Sequence, residues 1–101
     1  MINAILCGAS GKMGGFVANA AKDDGNIKIV AGIDKINNGE SFPVFSTFSD
    51  INVKADIIID FSHPDMLDEA IFYAKNNNCP LLIGTTGYSE EAPLNGAYAR
   101  I

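Results

Sequence analysis

Short, almost continuous apolar runs alternate along the chain with stretches in which apolar residues recur every three to four positions. That alternation predicts an α/β protein with a parallel sheet. Strands buried on both faces read as unbroken apolar runs, and the crossovers between them read as amphipathic helices. Ile2–Cys7 is the first expected strand. The next stretch places Met13, Phe16, Val17 and Ala20 at i, i+3, i+4 and i+7, which predicts a helix with those four on its buried face, closed by Gly25-Asn26. Ile27–Asp34, rich in Ile and Val, is the second strand. Residues 35–49 are the least regular, with turn chemistry at Asn37-Asn38-Gly39 and a short edge strand at Pro43-Val44-Phe45.

The pattern resumes at Ala55–Phe61, a buried strand centred on Ile57-Ile58-Ile59. Ser62 and Asp65 make a capping-box-like start to a helix reaching about Asn77, with Leu67, Ala70, Ile71 and Ala74 as its apolar stripe. Asp65, Asp68 and Glu69 near its start and Lys75 near its end follow the charge order that the helix dipole favours. Pro80–Ile83 is the last clear strand; Ser89-Glu90-Glu91 resembles a further helix start, but Pro93 and Gly96 interrupt it. No pattern is readable from Ala92 to Ile101.

Composition narrows the function classes. With 101 residues, 48% of them hydrophobic and 19% charged, the chain supports one domain and is not a disordered segment. Seven Lys and Arg against twelve Asp and Glu give a net charge of −5, a poor basis for binding nucleic acid. Cys7 and Cys79 are far apart, with no His or Cys at ligand spacing, so no metal site and no disulfide framework is expected; they read as buried, reduced thiols. No apolar run approaches the ~20 residues needed to cross a bilayer, and the N-terminus lacks the marks of a signal peptide. A soluble, cytoplasmic protein without a membrane partner is the expectation.

The candidate chemistry lies at the strand ends. Gly8-Ala9-Ser10-Gly11-Lys12-Met13-Gly14 follows a strand and opens a helix, in the pattern G-x-x-G-x-x-G. In that setting the glycines allow a tight turn, close backbone approach to a pyrophosphate, and close packing of helix on strand. The helix start adds free N–H groups and the positive end of a dipole. Asp34 ends the next strand about twenty residues beyond Gly14, where a carboxylate can accept hydrogen bonds from the hydroxyls of an adenosine ribose. Lys35 follows and is placed to meet a 2′-phosphate. Phe61-Ser62-His63-Pro64 and Gly84-Thr85-Thr86-Gly87 end two further strands at the same sheet edge, where open α/β sheets bind ligands. His63 has no partner pattern around it and reads as a loop or cap residue, and Asp56 and Asp60 do not form an acid/base pair by spacing.

These residues resemble a known family. The Ile5–Gly14 segment is similar to the G-x-x-G-[RK]-M-G cofactor loop of the 4-hydroxy-tetrahydrodipicolinate reductases, also called dihydrodipicolinate reductases. Ile59–Pro64 resembles their D-F-[ST]-x-P segment, and Ile83–Tyr88 their I-G-T-T-G-[FY] segment. The resemblance covers about residues 1–91 and implies a Rossmann-like NAD(P)-binding domain of an oxidoreductase of lysine and diaminopimelate biosynthesis. By it, Gly8, Ala9, Ser10, Gly11, Lys12 and Met13 face the pyrophosphate, Asp34 the ribose, Phe61 and Ser62 the length of NADH or NADPH, and Gly84, Thr85 and Thr86 its nicotinamide end. The family's His-His-x-x-K substrate segment, which belongs to a second, assembly-forming domain of a homotetramer, is absent here. An N-terminal part with a truncated sheet is therefore expected, with 92–101 an unassigned tail, binding cofactor without turnover and carrying no catalytic residue. A stand-alone NAD(H) sensor, or another Rossmann dehydrogenase of amino-acid metabolism, remains as the alternative reading.

Overall fold

The structure is a computed structural model that describes residues 1–36, 41–62, 64–84 and 98–100. Its elements are β1 (Ile2–Cys7), α1 (Lys12–Asp24), β2 (Ile27–Ile33), β3 (Val44–Phe45), a 3-10 turn (Phe48–Asp50), β4 (Ile57–Asp60), α2 (Pro64–Asn76), β5 (Leu81–Ile83) and β6 (Tyr98–Arg100). All strand pairs are parallel, in the order β3-β2-β1-β4-β5-β6. This is the doubly wound order, in which the chain returns to the middle of the sheet and then builds outward on the other side.

Period-two alternation sorts β1 between two cores. Ile5 and Cys7 join Ile58, Leu67, Ala70, Ile71 and Ala74 under α2, whereas Ala4 and Leu6 join Ala9, Ala21 and Ile29 under α1. Both faces are thus covered, which is why the strands read as continuous apolar runs. β2 breaks the alternation. Its register against β1 shifts between Ala4 and Ile5: Ile29 pairs with Ala4, and Ala31, not Val30, pairs with Ile5. The extra residue turns the rest of the strand over, so Ile29 packs under α1 while Ala31 and Ile33 pack under α2.

Three findings depart from the sequence reading. The tail that carried no readable pattern holds a strand, Tyr98–Arg100, which pairs with β5 as the sixth strand among the described residues. The buried face of α1 is Gly14, Val17, Ala18 and Ala21, while Met13 is 52% and Phe16 70% exposed and Ala20 faces outward. At Gly14 the helix lies so close to the loop after β1 that a Cβ would meet the Gly8 and Ala9 backbone. Third, the irregular region holds the 3-10 turn, which Phe48 anchors against Tyr73 of α2 with ring centroids 5.0 Å apart. The α2 stripe is as expected, and Gly25 closes α1 with its N–H on the Ala21 carbonyl. Asn37-Asn38-Gly39, His63 and the Ser89–Glu91 helix start lie outside the described residues.

Candidate cofactor site

β1 lies between β2 and β4, so its exit at Cys7 opens onto the middle of the sheet's carboxyl edge. Gly8 turns the chain there with φ +79°, and its N–H donates to the Ile33 carbonyl at 2.8 Å. A Cβ on Gly8 would stand 2.6 Å from the Phe61 carbonyl oxygen, so the loop fits against the end of β4 only as glycine. Gly11 donates to the Gly8 carbonyl at 3.1 Å and caps α1 in extended conformation. A Cβ on Gly14 would lie 2.1 Å from that same carbonyl oxygen. The first turn of α1 carries no acidic residue, which leaves the positive end of the helix dipole uncompensated by a side chain there.

The half-buried carboxylate of Asp34 ties two loops together. Its Oδ2 accepts the Ser10 N–H at 2.9 Å and its Oδ1 accepts the Lys35 N–H at 2.7 Å, while the Ser10 hydroxyl donates to the Ile36 carbonyl. Each carboxylate oxygen has a second lone-pair direction available to a ligand. At the end of β4, the Phe61 N–H donates to the Cys7 carbonyl at 3.0 Å, and the Gly84 N–H to the Asp60 carbonyl at 2.7 Å. The Phe61 ring covers Gly84 so closely that a Cβ there would come within 2.3 Å of it. Burial, and secondarily the charge of Asp60, pushes the Cys7 thiol well above its usual range, so that it stays protonated beneath the loop.

A cleft of about 720 Å³ lies over these strand ends, and Gly8, Gly11, Asp34, Lys35, Phe61 and Ser62 all line it. Sequence reasoning missed Ser46, Met66 and Glu69 in the same lining. Met66 and Glu69 are three apart on α2 and so share a face, a spacing that the search for an apolar stripe passed over. A second cleft of about 570 Å³ lies between α1 and β2 and takes in Ala9, Ser10 and Gly11. It opens at the side of the sheet rather than over the strand ends, where doubly wound sheets bind ligands, so the first cleft is the candidate site. Lys12 and Met13 stand exposed on the first turn of α1, and Gly84 ends β5 under the Phe61 ring. Thr85 and Thr86 lie outside the described residues. Both cysteines are buried and free, as expected, and among the described residues no group of three or more His, Cys, Asp or Glu could hold a metal ion.

The family model described as dihydrodipicolinate reductase, N-terminus, matches residues 2–95. The chain belongs to the dihydrodipicolinate reductase N-terminal family. It is similar to the 4-hydroxy-tetrahydrodipicolinate reductases of Clostridium novyi (strain NT), 42% identical over 92 residues, and Clostridium tetani (strain Massachusetts / E88), 40% identical over 92 residues. Each alignment covers 90% of this chain and 36% of the relative, so the chain spans about a third of the length of the curated relatives it matches. Among solved structures, the dipicolinate-bound dihydrodipicolinate reductase from Paenisporosarcina sp. TG-14 superposes with a TM-score of 0.76 at 27% identity, covering 90% of this chain and 40% of that one. The family thus accounts for the doubly wound sheet and for the glycine loop at its centre. No helix of the described residues is long and apolar enough to cross a membrane.

Proposed function

We propose that this chain is the nicotinamide-dinucleotide-binding domain of a reductase that acts on the cyclic 4-hydroxy-tetrahydrodipicolinate intermediate of lysine and diaminopimelate biosynthesis. One observation carries the reading: a glycine loop that a single Cβ would fill, opening a helix, shares one cleft with a carboxylate at the end of β2. That donor set fits a dinucleotide. The Gly8–Met13 loop would face the pyrophosphate, with the Lys12 and Met13 N–H groups at the start of α1 as donors, those of Gly8, Ala9, Ser10 and Gly11 being donated within the chain, and the Lys12 ammonium would add charge. Asp34 would accept from the adenosine ribose and Lys35 would stand beside a 2′-phosphate. Phe61 and Ser62 would flank the molecule, with Gly84, Thr85 and Thr86 at its nicotinamide end. The cofactor supplies the hydride when bound, and the protein supplies position and electrostatics.

The residues of this chain bind and orient; the acceptor falls to the part of the relatives that the chain does not span. Holding reactants in place can supply roughly 7–11 kcal/mol of a barrier, so the 101-residue chain alone should bind dinucleotide without turnover. Protein-dependent NADPH oxidation with the cyclic imine would refute that. Calorimetric titration with NADH and NADPH tests the site itself, both being expected to bind and NADH no more weakly than NADPH. Asp34→Ala should lose about 1–3 kcal/mol of NADH affinity, the cost of leaving polar partners unmatched, and less for NADPH. Asp34→Asn keeps an acceptor for the Ser10 N–H and separates that structural contact from the loss at the ribose. Unchanged NADH affinity in both variants removes Asp34 from the site, and failure of the unsubstituted chain to bind either dinucleotide refutes the reading. On this reading the enzyme works in the cytoplasm.

A further inference from the structure

Beyond β2 the chain leaves the core, and the contacts that hold it become polar. Lys35 and Ile36 are both exposed, the Ile36 side chain at 61%, so burial does not fix the bend at residues 34–36. Ser10 holds that bend at two points. Its N–H donates to Asp34 Oδ2 at 2.9 Å, and its hydroxyl donates to the Ile36 carbonyl two residues further on. Between these ties Asp34 Oδ1 accepts the Lys35 N–H at 2.7 Å, and the Asp34 N–H donates to the Phe45 carbonyl of β3 at 3.0 Å. The glycine loop and the bend after β2 are thereby joined beside the cleft that Asp34 and Lys35 line.

The two contacts of Ser10 differ in what they require. Any residue but proline has the N–H that meets the carboxylate, whereas the contact to Ile36 needs a side-chain donor at position 10. We infer that Ser10 is a positioning residue whose hydroxyl latches the bend at 34–36 in the shape that receives the adenosine ribose of the bound dinucleotide. This rests on the proposed function and adds that the ribose seat is built before the ligand arrives. A bend that holds its binding shape only part of the time weakens the ligand in proportion to that fraction. One hydroxyl-to-carbonyl bond shifts such an equilibrium about three- to tenfold. Ser10 thus acts on the ribose through Asp34 and needs no contact of its own with it.

Calorimetric titration of the full chain with NADH tests the inference, with folding followed by circular dichroism. Ser10→Ala keeps the N–H and loses the hydroxyl, and should weaken NADH about three- to tenfold. Ser10→Thr restores a hydroxyl and should bind within about twofold of the unsubstituted chain. In the Asp34→Ala background Ser10→Ala should add less than about twofold, because the two residues act on the ribose through one contact. Amide exchange separates a latch from a direct contact with the ligand. In the ligand-free Ser10→Ala chain the Lys35 N–H, held by Asp34, should exchange about three- to tenfold faster, with Leu6 in the enclosed β1 unchanged.

Ser10→Ala binding NADH as tightly as the unsubstituted chain overturns the inference, and so does Ser10→Thr binding as weakly as Ser10→Ala. Lost affinity with unchanged Lys35 exchange overturns it too, since the hydroxyl would then be meeting the ligand itself. A full additional loss in the Asp34→Ala background has the same meaning. If the unsubstituted chain does not bind NADH, the proposed function falls first and this inference with it.

Discussion

Gly14 and Gly15 are neighbours in α1 and should answer the same substitution with opposite signs. A Cβ on Gly15 meets nothing within 4 Å, whereas one on Gly14 would lie 2.1 Å from the Gly8 carbonyl oxygen and 2.9 Å from the Ala9 carbonyl carbon and oxygen. Replacing glycine by alanine inside a helix stabilises by about 0.5–1 kcal/mol, through backbone entropy lost to the unfolded chain. At Gly15 that gain stands alone. At Gly14 it opposes a contact more than about 1 Å shorter than the ~3.3 Å at which carbon and a carbonyl oxygen normally meet. Every atom in the way is backbone, so no side chain can rotate aside; α1 and the glycine loop must separate. Overpacking costs about 1–3 kcal/mol, toward the upper end where only backbone can yield, so against the helix gain Gly14→Ala should be about 1–2 kcal/mol less stable than the unsubstituted chain. Urea unfolding followed by circular dichroism reads both variants on one scale, with the midpoint rising for Gly15→Ala and falling for Gly14→Ala. NADH titration adds an independent reading, since moving the loop displaces its N–H groups and should weaken binding in Gly14→Ala alone. Two variants shifted in the same direction, or Gly14→Ala as stable as the unsubstituted chain, would refute the close-approach argument.

Phe16→Ser, at an exposed position, should change stability by less than about 0.5 kcal/mol. Leu67→Ala, at a fully enclosed one, should cost about 2–5 kcal/mol in the same urea assay. The thiol of Cys7 is pushed well above 9.0 by burial and then by Asp60, and Cys79 and Tyr73 are raised chiefly by burial. A raised acid holds its proton more tightly in the folded chain than in the unfolded one. Its contribution is therefore complete below the unfolded pKa and declines as pH rises above it. Stability should thus fall above about pH 9, the ordinary thiol value. Cys7→Ala should flatten that fall; an equally steep decline in the variant would show that Cys7 is not its source.

How much of this was legible depended on what hydropathy can register. β1, β4 and the α2 stripe declared themselves because Ile and Leu carry much of their burial, at positions that follow the strand or helix period. α1 misled because its buried face is Gly14, Val17, Ala18 and Ala21, three of them small residues that carry little hydropathic signal, with Gly14 held small by the loop backbone against it. The large apolar residues Met13 and Phe16 drew the stripe one position away from its true place. β6 is three residues long, too short for any period to emerge from Tyr98-Ala99-Arg100. At the site, Gly8, Gly11 and Asp34 were readable because their spacing is set by backbone geometry common to such loops. Asp60 was not, since a carboxylate at a strand end looks alike in sequence whether it is solvated or enclosed. Ser46, Met66 and Glu69 reach the cleft only through tertiary placement.

The shifted register in β2 makes that strand two segments of opposite phase, with Val30 as the spare residue at the join. A deletion of Val30 would remove the surplus and leave each observed partnership in place, Ile29 with Ala4 on one side and Ala31 with Ile5 on the other. The same surplus absorbs a deletion at Ala31, Gly32 or Ile33, because Val30 moves up into the paired position and Asp34 keeps its place on the ladder beside the Ser10 N–H; what changes is which side chain then faces each core. Single-residue losses in this strand should therefore leave the carboxylate where it is and be graded by the core residue they displace.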